Sequence, residues 1–147
     1  MVAVGDRAPD FEAKIQDGSS FRLSSRMGHP LVLYFYPKAD TPGCTIEAKG
    51  FRDDYAALSA AGVGVVGVST DDCPEQMAFM KKYGLPFPLV ADPSKAVTTQ
   101  YGVLSPHGVA RRVSFHIGAD GKVLQVVDNS SADAHLAAAR ARFLKKA

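Results

Sequence analysis

The strongest constraint on how this chain folds is a change of hydrophobic period between residues 31 and 60. Leu31-Val32-Leu33-Tyr34-Phe35-Tyr36 is an unbroken run of apolar, β-forming residues, the pattern of a strand covered on both faces. Ala48, Phe51, Tyr55 and Leu58 then recur at three- and four-residue steps, which predicts an amphipathic helix ending at Gly62. A doubly buried strand that leads into a helix belongs to the α/β class.

The rest of the chain extends that pattern. Phe11-Glu12-Ala13-Lys14-Ile15 and Phe21-Arg22-Leu23 flank the turn-forming Gln16-Asp17-Gly18-Ser19-Ser20 and predict an N-terminal β-hairpin. Strand 31–36 leads to helix 44–60, strand 63–69 to helix 74–83, and a short helix near 94–101 precedes strand 112–117. Ala119-Asp120-Gly121-Lys122 turns that strand into Val123-Leu124-Gln125-Val126-Val127. A helix from about Asp133 to Lys145, with Leu136 and Phe143 one heptad apart, closes the chain. Around Gly84-Leu85-Pro86-Phe87-Pro88 the prolines are expected to stop the preceding helix. The order β-α-β-α-β-β-α predicts a mixed central sheet with helices on both faces. With 147 residues, no internal repeat and no linker-like tract, one domain over 1–147 is expected.

Several functions are disfavoured by composition. A net charge of +2 with both signs scattered gives no basic stripe for nucleic acid, and Arg140, Arg142, Lys145 and Lys146 suit the last turns of a helix. Gly62-Val63-Gly64-Val65-Val66-Gly67 matches a dinucleotide fingerprint, yet the glycines fall inside a strand and not between strand and helix. Two cysteines with scattered His29, His107, His116 and His135 lack metal-ligand spacing, so neither a metal nor another cofactor is expected. Asn129-Ser130-Ser131 reads as a turn and cap. Met77, Phe79, Met80 and Tyr83, at helical spacing, read first as core or as the rim of a site. No stretch approaches a membrane span or has the pattern of a secretion signal, and two cysteines make no disulfide framework; a reducing cytoplasm is the expected setting.

Chemistry concentrates at the first strand-to-helix join, Tyr36-Pro37-Lys38-Ala39-Asp40-Thr41-Pro42-Gly43-Cys44-Thr45. Thr41 is placed to cap the helix, Pro42 suits its first position, and Cys44 falls in the first turn. Unpaired N–H groups and the helix dipole favour an anion there, and such sites bring a thiol from about 8.5 to roughly 3.5–7.5. The competing reading of Cys44 is a small buried apolar residue. The surrounding Pro, Thr, Pro and Gly specify a backbone and not a packing layer, which favours the thiolate.

These residues resemble the peroxiredoxins, whose PxxxTxxC signature stands here as Pro37, Thr41 and Cys44. The resemblance extends to Gly5-Asp6-Arg7-Ala8-Pro9-Asp10-Phe11, Phe51-Arg52-Asp53, Phe87-Pro88-Leu89-Val90-Ala91-Asp92 and Arg112-Val113-Ser114-Phe115, nearly the whole chain, and is nearest to the bacterioferritin-comigratory-protein branch, the PrxQ type. It implies a thioredoxin-like fold and a thiol-dependent peroxidase that reduces hydrogen peroxide and organic hydroperoxides. In that scheme Cys44 becomes a sulfenic acid and is recycled by thioredoxin or another thiol. It further implies that Thr41 supplies its hydroxyl and that the Gly43 and Cys44 N–H groups bind peroxide. Arg112 lowers the thiol pKa and orients the oxygens, and Pro37 shields the pocket. A monomer is the expected state. Read without the resemblance, Arg112 is better taken as an ordinary charge where a surface loop enters a strand, although alternation places it on one face with Ser114 and His116, so its rank as a site residue rests on the family match.

The chain departs from the branch at the resolving cysteine: the position five residues after Cys44 is Lys49, and the alternative position in the next helix is Met80. Only Cys73 remains. It is a candidate resolving cysteine, which requires its α-carbon to come within about 7 Å of that of Cys44. Alternatively it is an uninvolved helix-entry residue beside a one-cysteine enzyme. A third reading makes it the primary nucleophile, which Asp71, Asp72 and Glu75 oppose. Outside enzymes, the alternative function is a thiol redox sensor or holdase acting through reversible oxidation of Cys44.

Overall fold

The computed structural model describes residues 1–144. Seven strands form one sheet: β1 (Glu12–Ile15), β2 (Ser20–Arg22), β3 (Leu31–Phe35), β4 (Gly64–Ser69), β5 (Leu89–Ala91), β6 (Val113–Ile117) and β7 (Val123–Asp128). Their order is β2-β1-β5-β4-β3-β6-β7. Strands β3, β4 and β5 are parallel, while β1 and β6 run antiparallel to β5 and β3, so the sheet is mixed. The helices are α1 (Pro42–Ala60), α2 (Cys73–Tyr83), α3 (Ala96–Gln100) and α4 (Ala132–Ala139). None of the described helices is long and apolar enough to cross a membrane.

Strand β3 lies near the sheet centre because both of its faces are apolar. Leu31, Leu33 and Phe35 pack with Val66, Val68 and Phe115 against Val97 and Tyr101 at α3. Val32, Tyr34 and Tyr36 point the other way, onto Ala48, Phe51 and Leu58 of α1, Phe79 of α2 and Leu136 of α4. Helices therefore cover both faces, in the thioredoxin-like arrangement expected from the sequence.

Strand β5 is absent from the element order read off the sequence. It has three residues behind Pro86 and Pro88, too few to show a period, and is buried between β4 and β1. Through it the N-terminal hairpin joins the main sheet, with Lys14 opposite Ala91 and Ile15 opposite Val90. The stop of α2 is Gly84, in left-handed conformation at φ 62°, ahead of the prolines expected to end it. The expected final helix divides: α4 ends at Ala139 and a π-helical turn covers Arg140–Leu144. That turn packs Phe143 on His116 with ring centroids 5.3 Å apart, while Arg142 reaches Gln125 at 2.9 Å. Lys145, the expected end of that helix, and Lys146 lie outside the described residues.

Candidate active site

The segment between β3 and α1 is held against the start and the end of α2. Asp71, its side chain 4% exposed, accepts the Ala39 N–H at 2.7 Å and the Ser69 hydroxyl at 2.6 Å. Behind it Gln76 accepts the Tyr36 hydroxyl at 2.5 Å and donates to Ser69 Oγ and the Val90 carbonyl, each at 2.9 Å. Farther along, Asp40 adopts φ 60°, a left-handed conformation that aspartate tolerates better than most residues. Its carboxylate is held by Lys82 at 2.8 Å and the Tyr83 hydroxyl at 2.7 Å. A strained residue persists where its surroundings over-determine it, and here the result is a fixed entry into α1.

Pro42 takes the first helical position and Thr41 the N-cap, but the Thr41 hydroxyl makes no capping bond. It donates instead to the Lys38 carbonyl at 2.7 Å, which corrects the expected cap: the tight turn before the helix offers a nearer acceptor. The first backbone bond of α1 runs from Thr45 N–H to the Thr41 carbonyl at 2.8 Å. The Gly43 and Cys44 N–H groups precede it and belong to the unpaired donors of the first turn.

Cys44 is 1% exposed and Arg112 closes over it from the head of β6. The Arg112 guanidinium donates from Nη2 to Cys44 Sγ at 3.5 Å, from Nη1 to Glu47 Oε1 at 2.7 Å and from Nε to the Ser130 carbonyl at 3.0 Å. Burial works against its charge, yet Glu47 and Cys44 outweigh that and hold Arg112 above its ordinary value. Glu47 is fully buried; burial pushes its carboxyl up to about 7, with Arg112 pulling the other way. Behind it, His135 Nδ1 lies 2.6 Å from Ser114 Oγ and Nε2 lies 2.7 Å from the Asn129 carbonyl. Burial lowers the His135 pKa, so its 3.7 Å approach to Glu47 is not an ion pair. On the outer side Pro37, Val109, Ala110, Arg111 and Arg112 line a cavity of about 380 Å³ whose rim carries the Arg111–Asp128 ion pair.

The structure thus brings Cys44, Gly43 and Arg112 together and sets Pro37 on the adjoining wall. Cys73 is elsewhere. It is the first residue of α2, behind a capping box of Asp72 and Glu75, and lines a cavity of about 240 Å³ with Glu12, Lys14, Asp92 and Val97. Both cysteines are free thiols. Lys49 lies over the Tyr83 ring, and Met80 Sδ accepts the Gln16 amide at 3.2 Å, so neither position is a vacancy in the fold.

Glu47 and His135 were not singled out from the sequence as parts of the site. Glu47 carried a signal: one turn after Cys44 it shares the inward stripe of Ala48 and Phe51, where a charge needs a partner. His135 carried none, because only the packing of α4 on α1 brings it there.

The model of the AhpC/TSA family matches residues 4–126. The chain belongs to this family. Curated relatives are peroxiredoxins: the putative peroxiredoxin bcp of Coxiella burnetii is 39% identical over 143 residues, 92% of this chain and 95% of the relative. Among solved structures, peroxidoxin BcpB from Mycobacterium tuberculosis superposes with a TM-score of 0.91 at 37% identity, covering 99% of this chain and all of that one. The bacterioferritin comigratory protein of Xanthomonas campestris, a structure described in terms of alkyl peroxide reduction, has a TM-score of 0.83 at 31% identity over 97% of this chain and 98% of its own. The chain is accordingly a peroxiredoxin, a thiol-dependent peroxidase.

Proposed function

We propose that Cys44 is the peroxidatic cysteine of this peroxiredoxin and that hydrogen peroxide and alkyl hydroperoxides react at the mouth between Cys44, Gly43 and Arg112. The observation that carries this reading is the forked Arg112 contact, with one nitrogen 3.5 Å from Sγ and the other anchored on buried Glu47. A cation so fixed stabilises a thiolate and the charge that develops on the leaving oxygen. The Gly43 and Cys44 N–H groups are free to hold peroxide oxygens. The Thr41 hydroxyl hydrogen is committed to Lys38, which leaves its oxygen to accept the peroxide O–H. Pro37 walls the pocket and limits water.

Attack forms an S–O bond and breaks the O–O bond, leaving a sulfenic acid and an alcohol or water. The separate surroundings of Cys73 favour a one-cysteine cycle in which thioredoxin or another external thiol, and not Cys73, returns Cys44 to the thiol. All of this takes place in one domain, acting as a monomer in the cytoplasm.

Intact mass after one equivalent of hydrogen peroxide, without reductant, tests the scheme. The expected result is a gain of about 16 Da that Cys44→Ser abolishes. A loss of about 2 Da would show a Cys44–Cys73 disulfide and overturn the one-cysteine cycle. Oxidation without continuing peroxide consumption in the presence of thioredoxin or a small thiol would favour a redox sensor over an enzyme.

A further inference from the structure

With Cys44 taken as the attacking thiol, a reading on which the inference about Glu47 rests, the buried site has two acids and one cation. Facing Glu47 are Arg112 at the head of β6, His135 from α4, Tyr34 from β3 and, on its own helix, Cys44; Asp128 at the end of β7 bears on His135. Of these only Arg112 is positive. His135 Nε2 lies 2.7 Å from the Asn129 carbonyl, which only accepts, so that nitrogen carries the hydrogen. Nδ1 is then bare and takes the Ser114 hydroxyl at 2.6 Å.

The two oxygens of Glu47 differ. Oε1 receives Arg112, whereas Oε2 has no hydrogen-bond partner among the described residues and sits 3.7 Å from the bare Nδ1 of His135. A carboxylate oxygen buried without a donor is a costly place for charge, and protonation removes that charge. A thiolate and a carboxylate sharing one guanidinium leave an uncompensated buried anion; a thiolate with a carboxylic acid leaves none.

We propose that Glu47 holds the proton that Cys44 gives up, so that the site carries one negative charge, shared between sulfur and carboxylate across Arg112. In this exchange the S–H bond of Cys44 breaks and an O–H bond forms on Glu47, with no change of net charge. Burial makes the carboxyl basic enough to serve. When the thiolate attacks a hydroperoxide, sulfur loses two electrons, the O–O bond breaks and the leaving oxygen takes up a proton. Sulfur is then neutral as sulfenic acid, Glu47 is the sole anion beside Arg112, and it releases its proton. Thiolate, carboxylic acid and ROOH become sulfenic acid, carboxylate and ROH, so oxidation draws no proton from bulk water.

The experiment is a single oxidation by one equivalent of hydrogen peroxide at pH 7 in weak buffer. Proton uptake is followed with an indicator dye and thiol loss is counted in parallel, for the native chain, Glu47→Gln and Cys44→Ser. Glu47→Gln is expected to take up about one proton per thiol oxidised and the native chain close to none. Infrared difference spectra of the native chain alone are expected to show a protonated carboxyl disappearing on oxidation, a readout independent of how the variant folds. Equal proton uptake by native and Glu47→Gln, or an unchanged carboxyl signal, overturns proton sharing and leaves Cys44 as the peroxidatic thiol. An unaltered rate of thiol loss in Cys44→Ser overturns the assignment of Cys44 itself.

Discussion

The guanidinium of Arg112 occupies the space that a side chain at Gly43 would need: a Cβ built on Gly43 would lie 2.8 Å from Nη2. Glycine here is required by that close approach. Arg112 can then rest on the helix entry and reach both Cys44 and Glu47.

Gly43→Ala is therefore expected to separate activity from stability. Within a helix the change to alanine is intrinsically favourable by roughly 0.5–1 kcal/mol. The added methyl must displace Arg112, so kcat/KM for hydrogen peroxide is expected to fall by about tenfold or more while the melting temperature holds or rises. Peroxide consumption and a thermal melt on the same preparation check it; a fall in both would point to a disrupted helix instead.

Arg112→Lys keeps the charge and loses the fork. A lysine cannot reach Cys44, Glu47 and the Ser130 carbonyl together, as the three guanidinium nitrogens do. A fall in kcat/KM of about 10²-fold or more is expected, the range for removing one preorganised donor from a charge-stabilising site. Steady-state kinetics at fixed reductant measure it, and near-native activity would count against the forked contact.

Stability against pH reports on the buried acid. In the fold Glu47 keeps its proton up to about pH 7, against an ordinary 4.5, because of burial. Between those values the native state binds more protons than the unfolded chain, and this contribution to stability declines as pH rises. Burial acts on His116 in the opposite sense, lowering its pKa from 6.5 to about 4, so between those values the unfolded chain binds more protons and stability rises with pH. His135 is lowered too and adds to the rise. The two effects oppose each other where the windows overlap, and Glu47→Gln removes only the declining one. Denaturant midpoints are expected to climb more steeply with pH in Glu47→Gln than in the native chain from about pH 4.5 to 6.5. Parallel profiles would mean that Glu47 does not titrate in this window.

Gly50→Ala tests the seating of α4. A Cβ at Gly50 would meet Leu136 Cδ1 at 2.3 Å and Cδ2 at 2.7 Å. Helix propensity favours the alanine, but overpacking is expected to win, with a net loss of about 1–3 kcal/mol by chemical denaturation. Displacing α4 also moves His135 away from Glu47, so activity is expected to fall with stability, unlike the outcome at Gly43. Full activity in a destabilised Gly50→Ala chain would show that α4 does not support the site.

The parts of this protein that were legible in the sequence are those set by short-range chemistry. The apolar run of β3, the helical period of α1 and the proline–glycine punctuation between them placed Cys44 in a first helical turn without any knowledge of the fold. Family motifs added Thr41, Pro37 and Arg112 as candidates. What escaped was either too short to show a period, as with Leu89–Ala91 of β5, or decided by competing local bonds, as with the Thr41 hydroxyl turning to Lys38. Glu47 was visible as a charge on an inward stripe, but its partner was not. The distance from Cys44 to Arg112 along the chain is 68 residues and from Glu47 to Arg112 65, separations across which no sequence period survives. The strand, the turn and the helix that present the sulfur follow from the residues of that segment alone, because backbone preferences act over a few residues. That one buried cation answers to two acids, with a histidine from α4 behind them, is set by the packing of the whole chain, because burial and charge pairing depend on which distant segments come together.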